Sequence, residues 1–165
     1  MSEGTREERL RALLGERTDI TLGTAESCTG GNIAARITRI AGSSAYFNGG
    51  IVSYANAVKH QVLGVSEEVL ANPGAVSEPC ARMMAEGAQR VLGTTLAVST
   101  TGIAGPGGAT PFKPVGLVYI ARAGFGETVV EEHHFAGDRA AVIAQATDRA
   151  LDLLVEAAAA MVANS

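Results

Sequence analysis

Apolar positions along the chain switch between two periods, and the switches outline the elements of the fold. From Thr5 to Leu14, the side chains of Leu10, Leu13 and Leu14 fall on one face of an otherwise charged segment, which predicts a first helix. Residues 19–24 alternate apolar and small side chains and read as a strand. They run into Glu26-Ser27-Cys28-Thr29-Gly30-Gly31, after which Ile33, Ile37 and Ile40 align at helical spacing. A second loop, Ala41-Gly42-Ser43-Ser44, leads to an apolar stretch from Tyr46 to Tyr54, in which Gly49-Gly50 marks a bulge or a close backbone approach. Short helices are expected over Ala55–Leu63 and after Ser66, and Asn72-Pro73-Gly74 is a turn. Ser77 as N-cap and Pro79 in the first turn predict a longer helix to about Val91, ahead of Gly93.

Thr95–Thr100 then reads as a strand feeding the loop Gly102–Gly108. Val115–Arg122 and Thr128–Phe135 read as two further strands, joined as a hairpin over Ala123–Gly126. Asp138 is placed to cap a long last helix, with Ile143, Ala146, Ala150, Leu154, Ala157 and Met161 along one stripe. Early alternation of strands and helices, followed by an antiparallel pair, implies an α/β fold: one α/β/α layered domain with a mixed sheet over residues 1–165, its core from about 6 to 158. The ends, residues 1–3 and 163–165, are expected to fray.

Composition narrows the function classes. The chain is 47% hydrophobic and 18% charged, as globular domains are. Aromatics make up only 4% and Trp is absent, so Ala, Val, Leu and Ile must build the core. A net charge of −4 and a pI near 5.4, with no basic stripe and no aromatic platforms, argue against a nucleic-acid partner. They leave room for a local cationic pocket that takes one phosphate. Cys28 and Cys80 lack CxxC spacing, and His60, His133 and His134 lack HExxH or HxH spacing; a disulfide framework or a metal site is not expected. The charged N-terminus and the lack of a long apolar run predict a cytoplasmic protein with no membrane partner. The Ala-rich terminal stripe can pack within the subunit or across an interface, and a homo-oligomer is expected.

Ligands of open α/β sheets collect where strands end and helices begin, and three loops have the composition for it. Ser27-Cys28-Thr29-Gly30-Gly31 offers hydroxyls and backbone N–H groups at a helix start, suited to an anion or to a simple cap. Gly102–Gly108 matches neither GxGxxG before a helix nor GxxxxGK[ST], yet glycines with one proline can cradle an anion or a developing oxyanion. The stretch from Ser43-Ser44 through Tyr54 to Lys59 holds a serine and a lysine. A serine attacks only when a base removes its proton, and a lysine serves as that base only when burial lowers its pKa. Glu26 is suited to orienting a polar group or capping the next helix. Arg139 at a helix start is suited to a phosphate or to a surface ion pair.

Together the runs TAESCTGG (Thr24–Gly31), AGSSAYFNGGIVSYANAVKHQVLGV (Ala41–Val65), GAVSEP (Gly74–Pro79), TTGIAGPGG (Thr100–Gly108), KPVG (Lys113–Gly116) and FAGDR (Phe135–Arg139) resemble the C-terminal domain of the competence-damage-inducible protein CinA. The resemblance covers about Arg6 to Ala158. Stand-alone members of that family are nicotinamide-nucleotide amidohydrolases, so the resemblance implies hydrolysis of nicotinamide mononucleotide to nicotinate mononucleotide and ammonia without metal or cofactor. It implies Ser44 as nucleophile, with Ser27 as the alternative, Lys59 as general base and Tyr54 as proton relay or orienting group. It places Ser27 and Thr101 at the amide and its oxyanion, Arg139 at the phosphate, and Thr29, Gly30, Gly31, Gly102, Gly105 and Gly107 among the substrate-binding positions. Retention of Ser44, Tyr54 and Lys59 argues against a non-catalytic pyridine-nucleotide-binding module. Full-length CinA also carries an N-terminal molybdopterin-binding-like domain that nothing here resembles. Ala109-Thr110-Pro111-Phe112, beside the glycine loop, is unusually apolar and is expected to bear on substrate access.

Overall fold

A computed structural model describes residues 4–165. The elements follow in the order α1 (Arg6–Leu14), β1 (Leu22–Glu26), α2 (Asn32–Thr38), a 3-10 turn (Ser43–Ala45), β2 (Phe47–Val52), α3 (Asn56–Gln61), α4 (Glu67–Ala71), α5 (Glu78–Leu92), β3 (Leu96–Gly102), β4 (Leu117–Ala123), β5 (Val129–His134) and α6 (Arg139–Ala163). The five strands form one mixed sheet in the order β2-β1-β3-β4-β5. β2, β1 and β3 run parallel, and β4 and β5 complete the sheet antiparallel.

Successive strand residues point to opposite faces, and the two faces bury different partners. Leu22, Val98, Val118 and Ile120 pack with Ile33 and Ile37 of α2 and Leu151 and Leu154 of α6. Ala25, Ala97 and Ile51 pack with Cys80, Met84 and Ala88 of α5. The layered α/β/α arrangement with a mixed sheet is therefore the one the pattern predicts. The α6 stripe is consumed inside the chain: Ala146, Ala150, Leu154 and Ala157 are buried in the first of these clusters, with Ile143 and Met161 against it. Arg36 of α2 fastens that layer by donating to Glu7 of α1 at 2.7 Å and to Asp148 of α6. Among the described residues no helix is long and apolar enough to cross a membrane.

Strand boundaries shift from the expected ones for an identifiable reason. Thr21 and Thr95 exchange side-chain-to-backbone bonds, Thr21 N–H to Thr95 Oγ1 at 2.8 Å and Thr95 N–H to Thr21 Oγ1 at 3.1 Å. This clasp replaces the first rung of the ladder, so β1 begins three residues later than expected, at Leu22, and β3 one residue later, at Leu96. Both then run further than the pattern suggested, to Glu26 and Gly102. The connection from β1 to β2 passes over one face through α2, and that from β2 to β3 passes over the other through α5. Connections that leave in opposite senses open a crevice at the carboxyl ends of β1 and β3.

Candidate active site

The loop after β1 is held from inside by Glu26. Its carboxylate is buried and accepts the backbone N–H of Ile33 at 2.8 Å, the N–H of Ala34 at 3.1 Å and the Thr29 hydroxyl at 2.6 Å. Glu26 thus caps α2 and fixes the turn at once, both of the roles its position allowed. Gly31 sits as N-cap with φ of 102°, a conformation open to glycine at little steric expense. Thr29 Oγ1 also meets Thr100 Oγ1 at 2.7 Å. Glu26→Gln would set an amide NH2 against one of the N–H groups or the hydroxyl that the carboxylate now accepts. The expected result is a loss of about 1–3 kcal/mol in chemical denaturation.

The opposite side of the same strand ends carries a row of hydroxyls. Ser27 N–H donates to Thr100 O at 3.0 Å, and Ser53 N–H donates to Glu26 O at 2.8 Å. In a parallel ladder these bonds pair Ser27 with Thr101 on one side and with Ser53 on the other, strands about 4.8 Å apart. Glu26 and Thr100 face α2, so Ser53, Ser27 and Thr101 face the α5 side. Thr101 confirms this by donating its hydroxyl to Ala75 O, just before α5, at 2.8 Å. Thr101 is therefore a hydrogen-bond acceptor toward anything bound beside Ser27. Ser53, which the motif reading passed over, is fully buried with its Oγ unpartnered among the described residues. Its signal in sequence was only its place just after an apolar strand.

Lys59 follows the same end of β2. It is 1% exposed, on the short helix α3, and its Nζ donates to Tyr54 O at 3.1 Å. Burial lowers its pKa, opposed more weakly by the neighbouring Cys80 and Cys28 thiols. The same burial pushes both thiols up to about 11, so neither supplies a thiolate at neutral pH. Tyr54 points outward, 60% exposed, and its hydroxyl accepts Arg139 Nη2 at 3.0 Å, while Arg139 Nη1 donates to Gly105 O at 2.8 Å. Tyr54, Arg139 and the glycine loop are thereby joined at the start of α6.

Two adjoining clefts open here. One, about 750 Å³, is bounded by Ala104, Pro106, Val115, Asp138, Arg139 and Ile143. The other, about 540 Å³, is bounded by Thr29, Gly30, Gly31 and Asn32 and shares Ala140 and Ile143 with the first. Within the glycine loop, Gly107 has open space about it, whereas a Cβ on Gly102 would come within 2.6 Å of Leu117 O. Gly102 is thus explained by the close approach of β4, and Gly105 by its φ of +84° and by Val115, whose Cγ1 a Cβ there would meet at 2.5 Å. Phe112 stands 92% exposed on a turn closed by mutual Thr110–Lys113 backbone bonds.

Ser44 is not brought to this place. It lies in the 3-10 turn that precedes β2, whereas Ser53, Tyr54 and Lys59 follow that strand's other end. Six residues of strand separate the two ends, about 20 Å. The turn instead abuts α1, where a Cβ on Gly42 would meet the Arg11 guanidinium at 3.2 Å. Ser44, which the resemblance implied as nucleophile, precedes the extended strand β2 and Lys59 follows it; Ser27, the alternative, lies at the carboxyl edge, as Ser53 does.

The family model described as CinA C-terminal domain matches residues 4–158. A CinA-like protein of Citrifermentans bemidjiense is 52% identical over 148 residues, 90% of this chain and 36% of that protein. One from Geobacter sulfurreducens is 53% identical over 135 residues, 82% of this chain and 33% of that protein. The chain thus spans about a third of the length of the curated relatives it matches. Among solved structures, the competence/damage inducible protein CihA from Agrobacterium tumefaciens superposes with a TM-score of 0.87 at 40% identity, over 95% of this chain and 98% of that one. A CinA superfamily protein from Klebsiella pneumoniae 700603 does so with a TM-score of 0.87 at 36% identity, over 94% and 99%.

Proposed function

The chain belongs to the CinA C-terminal domain family, and from that premise we propose that it hydrolyses the carboxamide of nicotinamide mononucleotide, with Ser27 as nucleophile and Lys59 as base. The observation that carries the reading is a fully buried Lys59 tied to Tyr54 O, just past the strand end that pairs with Ser27, with the Tyr54 hydroxyl in turn held by Arg139 at the rim of a cleft. An amide needs an activated nucleophile and a proton donor for the departing nitrogen, and a lysine whose pKa burial lowers is suited to take the serine's proton and return it. Ser27 Oγ attacks the carboxamide carbon and its proton passes to Lys59. The tetrahedral intermediate collapses as the same proton goes to the leaving nitrogen, releasing ammonia. Water then attacks the ester by the reverse path and frees Ser27. Thr101, its own proton given to Ala75 O, accepts from the amide NH2 and orients it.

Arg139, at the first turn of a 25-residue helix, receives the phosphate. Arg139→Ala is expected to raise KM for nicotinamide mononucleotide about 10–100-fold with kcat little changed, the worth of one charge-assisted bond. Turnover of nicotinamide riboside should be insensitive to the same change. The assay is ammonia release from both compounds by purified protein. Release from neither would overturn the reading, and tight binding without release would leave a nucleotide-binding module. Chelator-resistant release, with the mononucleotide turned over much more efficiently than the riboside, is the expected result.

A further inference from the structure

We propose that Ser53 is the proton relay between Ser27 and Lys59, a role that rests on the serine–lysine reading above. Four observations converge on it. Ser53 pairs with Ser27 in the parallel ladder, through Ser53 N–H to Glu26 O at 2.8 Å. Both side chains project to the same face, with backbones about 4.8 Å apart, a separation that two hydroxyls turned toward each other close to hydrogen-bond length. Lys59 Nζ is fastened to the carbonyl of the very next residue, Tyr54, at 3.1 Å. Ser53 thus stands between the strand that carries the nucleophile and the helix that carries the base.

The fourth observation is energetic. The Ser53 side chain is fully buried, and its Oγ has no partner among the described residues. A buried hydroxyl without a partner is destabilising relative to alanine. Its cost is accounted for if Oγ serves as acceptor for Ser27 and donor to Lys59 once substrate is bound. Among the described residues four buried side-chain oxygens share this condition, and the other three, Thr24 Oγ1, Tyr46 OH and Thr94 Oγ1, belong to residues of the sheet body or its amino-terminal side. Ser53 is the one at the carboxyl edge.

The relay balances as a concerted transfer. As Ser27 Oγ bonds to the amide carbon, its O–H bond breaks and Ser53 Oγ takes that proton. Ser53 gives its own proton to the neutral Lys59 amine, which becomes an ammonium, and the carbonyl electron pair moves to oxygen. In collapse the two protons move back, one from Lys59 to Ser53 and one from Ser53 through Ser27's side to the leaving nitrogen. Ser53 ends unchanged, and no other reactant is required.

The test uses Ser53→Ala and Ser53→Thr in the full chain with two readouts. The first is ammonia release from nicotinamide mononucleotide in mixtures of light and heavy water. Ser53→Ala is expected to lower kcat about 10²–10³-fold while KM stays within about threefold. The native rate should depend on deuterium content with the curvature of two protons in flight, and the dependence should become linear in the variant. Ser53→Thr, which keeps the hydroxyl, should restore kcat to within about tenfold of native. The melting temperature of Ser53→Ala should not fall, since the group removed lacked a partner.

The second readout needs no substrate: the rate at which a fluorophosphonate labels Ser27, followed by intact mass. Labelling should slow in Ser53→Ala by a factor similar to that in kcat. Native-like labelling and turnover in Ser53→Ala would overturn the relay, as would a native chain that is not labelled at Ser27. Ser53-dependent labelling in a native chain that releases no ammonia would uphold the relay and overturn the assigned substrate.

Discussion

Replacing Ser27 by alanine is expected to abolish ammonia release, by roughly 10⁴-fold or more, while Ser44→Ala leaves turnover within about twofold of native. The contrast follows from the sheet. Ser27 follows β1 at the carboxyl edge, as Tyr54 and Lys59 follow β2, whereas Ser44 precedes β2 at the opposite edge, the length of a strand of about 20 Å away. Deleting a nucleophile removes the covalent step entirely, so the residual rate is that of bound substrate and water. Both variants should fold: Ser27 Oγ makes no bond on which the loop depends, because Glu26 fixes that loop through Ile33, Ala34 and Thr29. Steady-state kinetics with matched circular dichroism and melting curves checks this. A Ser44→Ala variant that loses turnover while Ser27→Ala retains it would reverse the assignment.

Lys59→Met is expected to move activity and stability in opposite directions. Turnover should fall about 10³-fold, as when a general base is removed. Stability at neutral pH should rise by about 1–3 kcal/mol, because a buried ammonium with one hydrogen-bond partner among the described residues is exchanged for an apolar chain of similar length. The pH dependence has a definite sign. Burial lowers the pKa of Lys59 in the folded chain below its unfolded value near 10.4. Below the folded pKa both states hold the proton and the native chain bears the whole cost of burying the charge. Between the folded and unfolded values the unfolded state binds more protons, so native stability rises with pH. The advantage of Lys59→Met should therefore shrink as pH climbs toward about 10. Native kcat/KM should rise with pH through one ionisation below the ordinary lysine range, and this limb should vanish in the variant. Denaturant melts and pH–rate profiles of the two proteins read both effects.

Local signals carried most of the fold. The caps Thr5, Ser66, Ser77 and Asp138 accept bonds from the first turns of their helices, as their residue types predict. The helix from Ser77 ends at Gly93 in the left-handed conformation, and the turn residues separate β4 from β5 where expected. Strand ends were less legible, because the Thr21–Thr95 clasp joins residues 74 apart and leaves no local trace. The site was legible as three loops but not as a geometry. Lys59, the residue type most often on the surface, is buried with the thiols of Cys80 and Cys28 for neighbours, 21 and 31 positions away. Tyr54 and Arg139 meet across 85 residues. Ser53 lies inside the run Ala41–Val65 but carries no chemical signal there, and its role depends on register, which a slip of one residue would reverse. Ser44 illustrates the converse: a serine fifteen positions before a lysine is at the far end of the sheet when an extended strand separates them.

The most direct test of the account is to quench turnover of nicotinamide mononucleotide with acid and map the added mass by peptide sequencing. The expected result is ammonia release with a nicotinate mononucleotide acyl group on Ser27. Ammonia release with the acyl group on Ser44, or turnover that never places carbon on any serine, would contradict it.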